Sequence, residues 1–449
     1  MFIINLISLL MIAKNIYKQR TFLDPIHGPV KFNLNDPIDY LLAQIIDTKE
    51  FQRLRRIRQM GLGWFTFHGA EHTRFGHSIG AMFIARKMIN HLSDNFEEIN
   101  KYKARILVPA LVHDIGHGPF SHTSEKLLSF SHEDWTRKII QGDSEIHKLL
   151  IGFDKNFLGD VIEIMNGKAE AGLPRFLSQI ISSYVDCDRL DYLHRDSYYV
   201  GVPYGLTGSE RIIASLEIDK VCRGEVTSPL LVINENIGLD AVIHYLHARY
   251  SMYQQIYQHK KNLACDFLLR KIIERLKEVK PKTINAVLYD WLSADDKPVL
   301  RVDDFYLMSC IQDLSEDSTG EKVLKDLSNR FTVRNLFKSL EFRQEVNKGK
   351  ITEVLEKLKP ISKNKGFDPN FYLGIEQSSS SPYEPYQVTD KTSKAIFIKQ
   401  NNGAIRELSE VSGLVKALSQ ENIVKTCLIF TPELENEITN IKGFQELFK

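Results

Sequence analysis

The first part of the chain carries apolar residues at helical spacing. Phe75, Ile79, Met82, Phe83 and Ile89 recur near the period of a helix that buries one face. We find no long run of alternating apolar and polar residues between residues 20 and 280. The pattern therefore predicts a mainly α-helical core over residues 20–280.

The helical pattern ends at Val279-Lys280-Pro281-Lys282, and a mixed region follows. Residues 362–370 and the serine-rich run 378–382 have the composition of loops, and we expect a flexible loop at the serines. Residues 395–399 and 423–430 are typical of strands. We predict three parts: an apolar or flexible N-terminal segment of residues 1–19, a helical domain of residues 20–280, and a smaller α+β lobe of residues 281–449.

The apolar opening of the chain, MFIINLISLLMIA, is too short to span a bilayer. It also lacks the basic stretch and the small-residue cleavage site of a secretory signal. We expect a non-secretory segment, and an interfacial membrane anchor is the alternative.

Charge and cysteine content narrow the functional classes. The 58 Lys and Arg residues almost balance the 57 Asp and Glu residues, so no global field draws the protein to nucleic acid or to an anionic membrane. The five cysteines are scattered and form no C-x-x-C pair, which argues against a disulfide framework and a thiolate zinc site. We expect a globular cytoplasmic protein that neither inserts into membranes nor binds nucleic acid broadly.

Two histidines and two aspartates carry the strongest chemical signal: His77, the adjacent pair His113 and Asp114, and Asp188. Imidazole nitrogen together with carboxylate oxygen suits a divalent transition metal. A lone histidine is more often a packed residue or a helix cap, but this many histidines are hard to explain by packing, because buried imidazoles cost free energy unless paired. The sequence thus predicts a metallohydrolase.

The spacing also predicts where these residues lie. Arg74 and His77 would share a face of a helix that begins near Thr73, which puts a guanidinium beside a metal ligand. The apolar run 106–113 stops at a Gly-Pro turn, so His113 should lie at a buried helix end that opens into a loop.

That loop holds more histidines with carboxylates nearby. His117 and His122 follow the turn, and Glu125 and Glu133 are near enough in sequence to orient them by hydrogen bonds. Such histidine–carboxylate pairs can hold and deliver protons.

Two further helical stripes are predicted downstream. The first, spaced i, i+3, i+4 and i+7 with one more carboxylate after it, comprises Asp188, Asp191, Tyr192, Arg195 and Asp196. The second, spaced i, i+4, i+8 and i+11, comprises Arg249, Tyr253, Tyr257 and Lys260. Each could be an exposed, salt-bridged helix face. Together with a metal site they describe a nucleotide pocket, because cations hold phosphates and rings stack on or gate a sugar and base.

These residues resemble a known family. The order His77, His113-Asp114, Asp188 is similar to the signature of the HD-domain phosphohydrolases. Longer strings resemble the deoxynucleoside triphosphate (dNTP) triphosphohydrolases, above all the bacterial relatives of the mammalian SAM-and-HD-domain enzyme, and these strings are Asp24-Pro25-Ile26-His27-Gly28, Phe51-Gln52-Arg53-Leu54-Arg55, Arg74-Phe75-Gly76-His77-Ser78, residues 113–122 and Tyr257-Gln258-His259-Lys260. The likeness runs from about residue 20 to residue 261. It implies an HD-domain helical core.

The resemblance implies roles residue by residue. The metal ligands would be His77, His113, Asp114 and Asp188. The catalytic group would be His117, His122, Glu125, His132 and Glu133, with His122 backed by Glu125 protonating the leaving 5′ oxygen and His117 paired with Glu133 near the phosphates. The substrate would be bound by Gln59, Met60, Arg74, Arg189, Tyr192, Asp196, Arg249, Tyr257 and Lys260. Among these, Gln59 and Asp196 would read the 3′-hydroxyl, and Tyr257 and Met60 would crowd the 2′ position.

The resemblance also implies an activating guanine-nucleotide site, formed by Arg20, Asp47, Gln52, Arg55 and Arg211. A carboxylate such as that of Asp47 can accept hydrogen bonds from both N1–H and the exocyclic amine of guanine. The alternative is a charged helix start. Leu23 and residues 237–241 depart from the mammalian pattern, and the residues before Asp24 are too few for a SAM domain. We expect a homo-oligomer, as a tetramer, activated by GTP or dGTP.

The predicted activity is hydrolysis of a dNTP to deoxynucleoside and inorganic triphosphate with one divalent metal per subunit. Mn or Fe suits this ligand set best, and Mg, Zn, Co or Ni also fits. Two alternatives stay open. One is an HD phosphohydrolase for another nucleotide, such as an alarmone, a cyclic dinucleotide or a nucleoside monophosphate, and the other is a non-catalytic nucleotide-sensing module.

Overall fold

A computed structural model describes residues 18–128, 130–167, 172–223, 226–293, 300–317, 320–385, 394–441 and 443–449. Most of the predicted N-terminal segment, residues 1–17, lies outside the described residues. The protein is mainly α-helical with small sheets, and a smaller strand-containing region lies toward the C-terminus, as predicted. None of the described helices combines the length and the apolar character needed to cross a membrane.

The helices up to residue 280 are α1 (Pro37–Asp47), α2 (Lys49–Gln52), α3 (Arg74–Ser93), α4 (Lys103–Val112), α5 (His122–Leu128), α6 (His132–Gln141), α7 (Glu145–Phe153), α8 (Phe157–Met165), α9 (Arg175–Ile181), α10 (Cys187–Val200), α11 (Ser209–Ala214), α12 (Glu235–Met252) and α13 (Lys260–Val279). A π-helix, Tyr253–Tyr257, directly follows α12. After residue 280 come α14 (Ala286–Leu292), α15 (Asp304–Glu316), α16 (Lys322–Thr332), α17 (Lys348–Asn364), α18 (Pro369–Tyr372), α19 (Leu408–Val411), α20 (Gly413–Gln420) and α21 (Glu435–Thr439).

Three small sheets accompany the helices. Their strands are β1 (Gln19–Asp24), β2 (Gly28–Asn33), β3 (Leu216–Arg223), β4 (Val226–Asn234), β5 (Lys338–Glu341), β6 (Leu373–Ser380), β7 (Phe397–Lys399), β8 (Ile405–Glu407) and β9 (Ile423–Phe430). The strand orders are β1-β2, β3-β4-β7-β8 and β5-β9-β6, and every pairing is antiparallel except β4 with β7.

The stretch up to residue 280 is mainly helical as predicted, and it also contains the hairpins β1–β2 and β3–β4. The strands correct one expectation. The serine-rich run is not a loop at its start, because Ser378, Ser379 and Ser380 extend β6 along the apolar strand β9. Pairing with β9 supplies the ladder that the serines alone do not favour. The predicted loop at residues 362–370 shrinks to the link between α17 and α18.

Helix α3 lies at the centre of the first core, where it packs against α4 and α10. This core also receives side chains from late in the chain, including Tyr383, Ile396 and Leu418. A second core forms around α13, with Leu62 and Phe120 from the first part of the chain and Ile429 from β9. Residues far apart in sequence therefore share both cores, and the three-part domain division stays a prediction.

One carboxylate at the start of α15 links this late helix to two loops of the first part of the chain. Asp304 is fully buried and accepts hydrogen bonds from the backbone N–H of Arg58 (2.9 Å) and of Phe120 (2.8 Å). Phe120 and Ser121 have φ of 55° and 52°, a conformation that is strained for non-glycine residues. The bond from Phe120 thus helps to hold a strained turn in place.

Asp304 yields a prediction about stability and pH. Burial raises the pKa of Asp304 to about 6, whereas the unfolded chain has an ordinary value near 4. The folded state holds this proton more tightly, so the associated stability is present at low pH and is lost as the pH rises through about 6. Between pH 4.5 and pH 7, the free energy of unfolding of the wild type should fall by roughly 2 kcal/mol relative to that of Asp304→Asn. Urea unfolding at both pH values measures this, and a pH-independent difference would contradict it.

Candidate active site

A cavity of about 500 Å³ opens between α3, α10, the π-helix and the loop that follows α4. Most of the predicted site residues line it, namely Gln59, Met60, Arg74, His113, Asp114, His117, His122, His132, Glu133, Asp188, Arg189, Tyr192, Asp196 and Tyr257. His77 is fully buried next to His113, Asp114 and Asp188, and these four residues are called the floor of the cavity below. The sequence-predicted residues are therefore largely brought together around one cavity.

Local structure explains the floor of the cavity. As predicted, α3 begins at Arg74 with Thr73 as its N-cap residue, which puts His77 in its first turn. Helix α4 ends at Val112, so His113 and Asp114 stand where the helix opens into the loop. Asp188 occupies the first turn of α10, and the N-cap residue Asp186 accepts a hydrogen bond from the backbone N–H of Arg189.

Hydrogen bonds fix the tautomers of both floor histidines. His113 Nδ1 lies 2.9 Å from the carbonyl oxygen of Ala110, and His77 Nδ1 lies 2.7 Å from Asp191 Oδ2. Carbonyl and ionised carboxylate oxygens only accept, so each Nδ1 must donate. In the neutral rings, the lone pairs therefore sit on the two Nε2 atoms.

These two Nε2 atoms face each other and the carboxylates. They are 3.3 Å apart, and Asp188 Oδ1 lies 3.0 Å from His77 Nε2 and 3.6 Å from His113 Nε2. Asp114 lies 3.6 Å from His77 Nε2 through Oδ2 and 3.4 Å from His113 Nε2 through Oδ1. His77, His113 and Asp114 offer ligand atoms within 4.8 Å of one another, and Asp188 joins them through its contacts with both rings.

This donor set fits a divalent metal. Ligand nitrogens about 2.1 Å from one metal, at right-angled or tetrahedral positions, stand roughly 3.0–3.4 Å apart, which matches the separation of the two Nε2 atoms. Two facing lone pairs repel each other unless a cation lies between them. The nitrogen and oxygen donors suit Mn, Fe or Zn and contain no thiolate.

The pKa shifts of the floor residues also indicate that the floor attracts positive charge. Burial alone would lower the pKa of His77, but hydrogen bonds to Asp188 and Asp191 raise it to about 10. Burial opposes ionisation of Asp188 as well, yet the neighbouring rings of His113 and His77 hold its pKa well below the usual range. The floor is thus an anionic site that attracts a cation, either a proton or a metal ion.

Arg74 is committed to the floor. Its side chain is buried and donates from Nη1 to Asp114 Oδ2 at 2.5 Å and from Nε to Ser121 Oγ at 2.8 Å. Opposing the cost of burial, Arg74 lowers the pKa of Asp114 well below its usual range. Arg74 therefore orients a candidate metal ligand as well as lining the cavity.

A second cluster gathers three histidines, His117, His122 and His132, around the carboxylate of Glu125. Glu125 accepts from Nδ1 of His122 at 2.9 Å and also contacts Nδ1 of His132. Burial would raise the pKa of Glu125, but these two hydrogen bonds lower it, so the group is ionised at neutral pH. The predicted backing of His122 by Glu125 is present in the structure.

The predicted partner of His117 differs from the observed one. His117 Nε2 lies 3.3 Å from Asp114 Oδ1, rather than beside Glu133. Its buried Nδ1 has no hydrogen-bond partner among the described residues. Burial first, and then Arg74 and His132, lower the pKa of His117 well below its usual value, so the ring is neutral. Glu133 lines the cavity without contacting His117, because it lies on the first turn of α6 beyond His132.

The histidine cluster is poorly shaped for a second metal, although its ligand atoms converge. The rings of His117 and His132 are stacked, with centroids 3.9 Å apart and planes at 12°. A ligated metal must lie near the plane of each imidazole, and two stacked, nearly parallel planes have no such common point. The cluster is better suited to holding and moving protons.

The opposite wall of the cavity offers groups for a sugar and phosphates. Tyr257 donates its phenol hydrogen to Asp196 Oδ2 at 2.7 Å, and Asp196 Oδ1 lies 2.7 Å from His72 Nε2. Gln59 Oε1 is buried and has no hydrogen-bond partner among the described residues. Arg189 contacts Asp186, and burial raises the pKa of that carboxyl to about 6.

The first downstream stripe lies on α10 as predicted, and it is not an exposed face. Asp191 and Arg195 are 0% and 1% exposed. The second stripe is interrupted. Helix α12 ends at Met252, and the π-helix carries Tyr253 and Tyr257 into the cavity, but Lys260 begins α13 and is not among the cavity-lining residues.

Arg249 also differs from its predicted place. Its guanidinium donates to the carbonyl oxygens of Ser381 and Pro382 and lies over the rings of Tyr184 and Tyr253. It is not among the cavity-lining residues, so it supports the wall from behind. Burial would lower the pKa of Arg249, but nearby tyrosines raise it, and the charge is retained.

The predicted activator residues lie away from the cavity. Arg20 on β1 forms a two-point ion pair with Asp47, at 2.6 and 2.7 Å. Arg55 donates to Gln52 Oε1 at 2.9 Å and stacks on the ring of Phe75. Arg211 is exposed on α11. Four of the five predicted activator residues therefore form two contacting pairs, Arg20 with Asp47 and Arg55 with Gln52.

Several cavity-lining groups were missed in the sequence. These are the cations Lys126, Arg137 and Lys394, and the hydroxyls Ser378 and Ser379 at the end of β6. The sequence pattern predicts a flexible loop at the serines, and Lys394 stands just before the predicted strand at residues 395–399. Of these groups, only Lys126 and Arg137 could have been found from the sequence, because they follow His122 closely along the chain.

Known proteins similar to this chain share its fold. An HD domain family model matches residues 74–196. The chain is 35% identical to YwfO of Bacillus subtilis over 413 residues, which is 90% of each protein. The structure resembles the crystal structure of the phosphohydrolase BT4208 of Bacteroides thetaiotaomicron, with a TM-score of 0.75 and 27% identity, over 92% of this chain and 99% of the other.

A more distant relative has an activity in its name. The SAMHD1 homologue of Dictyostelium discoideum, a deoxynucleoside triphosphate triphosphohydrolase, is 30% identical over 259 residues. This match covers 55% of the present chain and 47% of that protein, so the chain spans less than half of that relative's length.

The floor geometry predicts one divalent metal per chain. The purified protein should bind one equivalent of Mn²⁺, and Asp188→Asn should weaken binding by tenfold or more, because one anionic ligand is lost. Asp188 is partly exposed, so its replacement should be tolerated by the fold. Asp143→Asn, at an exposed carboxylate, is the matched control. Metal titration by chelator competition measures both, and equal affinity of wild type and Asp188→Asn would contradict the ligand assignment.

Proposed function

The chain belongs to the HD-domain phosphohydrolases related to the deoxynucleoside triphosphate triphosphohydrolases, and from this we propose that it hydrolyses dNTPs to deoxynucleoside and inorganic triphosphate. The observation that carries this proposal is the composition of one cavity. The metal donor set forms its floor, the histidine–Glu125 cluster one side, and Arg189, Tyr192 and Tyr257 the other. Such a cavity offers a place for phosphates, a proton donor and a sugar.

The metal would be held by His77, His113, Asp114 and Asp188, with Mn or Fe as the preferred ion and Mg, Zn, Co or Ni as further candidates. Bound there, it would supply Lewis acidity that neutralises charge on the α-phosphoryl oxygens and favours attack by water.

The chain's own cations would bind the rest of the triphosphate. Arg189 lies at the cavity wall with its charge partly offset by Asp186, and the missed residues Lys126 and Arg137 add positive charge near the histidine loop. A guanidinium group can donate two parallel hydrogen bonds to two oxygens of one phosphate, which orients the phosphate as well as neutralising its charge. Arg249 and Lys260 would act on the substrate only indirectly, because neither is among the groups that line the cavity.

His122 is the proposed proton donor to the leaving 5′ oxygen. Ionised Glu125 accepts from its Nδ1 and fixes the ring, which leaves Nε2 free to carry the proton. The side chain is 65% exposed, so a substrate can reach it. His117 is neutral and its Nε2 faces ionised Asp114 at 3.3 Å, so its single ring hydrogen is directed at that carboxylate, and the ring would line the phosphate site without donating to a phosphate.

The sugar would sit against Tyr257, Asp196 and Gln59. The phenol of Tyr257 is held in place by its bond to Asp196, so it presents a fixed ring edge to the 2′ carbon. The unpartnered Gln59 Oε1 can accept a hydrogen bond from the 3′-hydroxyl. A site with a buried unpaired acceptor favours a substrate that brings the missing hydroxyl.

The products test the proposed reaction. Incubation of the Mn²⁺-loaded protein with each of the four dNTPs should give deoxynucleoside and tripolyphosphate. Ion-exchange chromatography separates and quantifies these products. In the same assay His122→Gln should lower kcat by about 10²–10⁴, because the leaving oxygen loses its proton donor.

His244→Gln, at an exposed histidine on α12, serves as the control and should retain wild-type kcat. Release of pyrophosphate or orthophosphate in place of tripolyphosphate would reject the reaction. If the protein hydrolyses an alarmone, a cyclic dinucleotide or a nucleoside monophosphate and does not hydrolyse any dNTP, that other nucleotide is the substrate of the site.

We further propose that a guanine nucleotide activates the enzyme through an oligomer, as a tetramer. The support is two side-chain pairs, Arg20 with Asp47 and Arg55 with Gln52, and both arginines lie on or beside the β1–β2 hairpin. Because Arg20 already neutralises Asp47, a guanine base that replaces this ion pair must provide two donors to the carboxylate.

Activation predicts that GTP raises the rate of dNTP hydrolysis and increases the oligomer mass seen by light scattering. Asp47→Ala should abolish both effects, since the carboxylate that reads the base is lost. Rates and mass that do not respond to GTP or dGTP in the wild type would contradict activation while leaving the hydrolytic proposal intact.

A further inference from the structure

We propose that Asp191 and His27 are positioning residues: they fix the His77 ring and thereby determine how tightly the metal centre binds its ion. Neither residue lines the cavity, and neither is a proposed metal ligand. The proposal rests on the metal centre of the proposed function. It explains why the Asp-Pro-Ile-His-Gly string at residues 24–28, far from the histidine motif in sequence, belongs to the site.

Asp191 is a fully buried carboxylate with every side occupied. Oδ2 accepts from His77 Nδ1 at 2.7 Å and from Arg195 Nε at 2.8 Å. Oδ1 lies 2.6 Å from His27 Nε2 and accepts from Arg195 Nη2 at 2.9 Å. Four hydrogen bonds leave this carboxylate no alternative orientation, so it acts as a fixed acceptor for His77.

The fixed acceptor controls the metal-facing side of His77. Because Asp191 takes the Nδ1 hydrogen, the lone pair stays on Nε2, and the ring cannot turn without breaking a buried bond. Carboxylates that hold the far nitrogen of a metal-ligating histidine orient the ring and raise its basicity. Asp191 is thus placed to strengthen the bond between His77 and a metal.

The β1–β2 hairpin locks Asp191 from the other side. Asp24 Oδ1 accepts from the backbone N–H of Ile26 and His27, which shapes the turn that carries the His27 ring. Asp24 Oδ2 accepts from Arg195 Nη1 at 2.9 Å, so the same aspartate also aims the guanidinium at Asp191. The hairpin therefore reaches His77 through two routes, one by His27 and one by Arg195.

A glycine one turn after His77 leaves room for this arrangement. A Cβ at Gly80 would lie 2.0 Å from Asp191 Oδ1 and 2.3 Å from Arg195 Nη2. Glycine is unfavourable inside a helix, so its use in α3 is explained by the close approach of these two side chains. A Cβ at residue 80 must displace Asp191, Arg195 or both, which disturbs the carboxylate that holds His77, and none of its three nearest atoms belongs to a candidate metal ligand.

Two variants test the proposal through metal affinity. His27→Phe keeps a ring beside Phe83 but removes the bond to Asp191, and Gly80→Ala displaces Asp191 by steric contact. Each should weaken Mn²⁺ binding, measured by competition with a fluorescent chelator, by about 10–100-fold. Gly159→Ala is the matched control, because a Cβ at this exposed glycine in α8 meets nothing within 4 Å, and it should bind Mn²⁺ as the wild type does.

Further measurements separate positioning from a merely structural role. At saturating Mn²⁺ the KM of both variants for dNTP should stay within about twofold of wild type. A lower thermal stability of the metal-free variants with unchanged Mn²⁺ affinity would overturn the positioning role. Wild-type protein that binds no divalent metal would overturn the proposed function itself, whereas tight wild-type binding with equally tight variants would overturn only the present inference.

Discussion

The His77 imidazole is held between two carboxylates that stand three residues apart on α10. Asp188 lies 3.0 Å from Nε2, and Asp191 lies 2.7 Å from Nδ1. Residues three apart share a helix face, so one helix supplies both a candidate metal ligand and the acceptor that orients the ring between them. This arrangement requires α3 and α10 to pack closely, and the rest of the site is built around that contact.

Burying so many carboxylates demands compensating positive charge. Arg195 holds Asp191, Arg74 holds Asp114, and neither guanidinium reaches Asp188 by a described hydrogen bond or ion pair. Breaking a buried pair of this kind by removing one partner is strongly destabilising, because a charge is left unpaired. Asp188, which pairs with neither of these arginines, lies beside the two Nε2 atoms, which is where a divalent cation would bind. The same electrostatics would then favour an anionic phosphate at the cavity floor.

The predicted metal ligands come together in the structure, because each stands at a helix start or helix end that the local sequence pattern marks. Thr73 before Arg74 and the Gly-Pro turn after His113 are signals of this kind. The supporting contacts were less accessible. His27 and Asp191 are 164 residues apart, and no local pattern relates a turn histidine to a carboxylate on a distant helix.

The errors share a physical origin in tertiary context. The predicted stripe from Arg249 to Lys260 required one continuous α-helix. The π-helix changes the rotation per residue, and the extended residue His259 separates it from α13. The serines of β6 adopt strand geometry because β9 pairs with them. Hairpin β1–β2 has strands of only 6 residues each, too short for alternation to stand out.

Four side chains are proposed to hold one divalent cation on the Nε2 side of His77. Anomalous X-ray diffraction at the Mn edge, on crystals of the Mn²⁺-loaded protein, would locate that cation. We expect a single strong anomalous peak within about 2.0–2.4 Å of the Nε2 atoms of His77 and His113 and of a carboxylate oxygen each of Asp114 and Asp188. A peak among His117, His122 and His132 instead, or no peak between the two floor imidazoles, would contradict it.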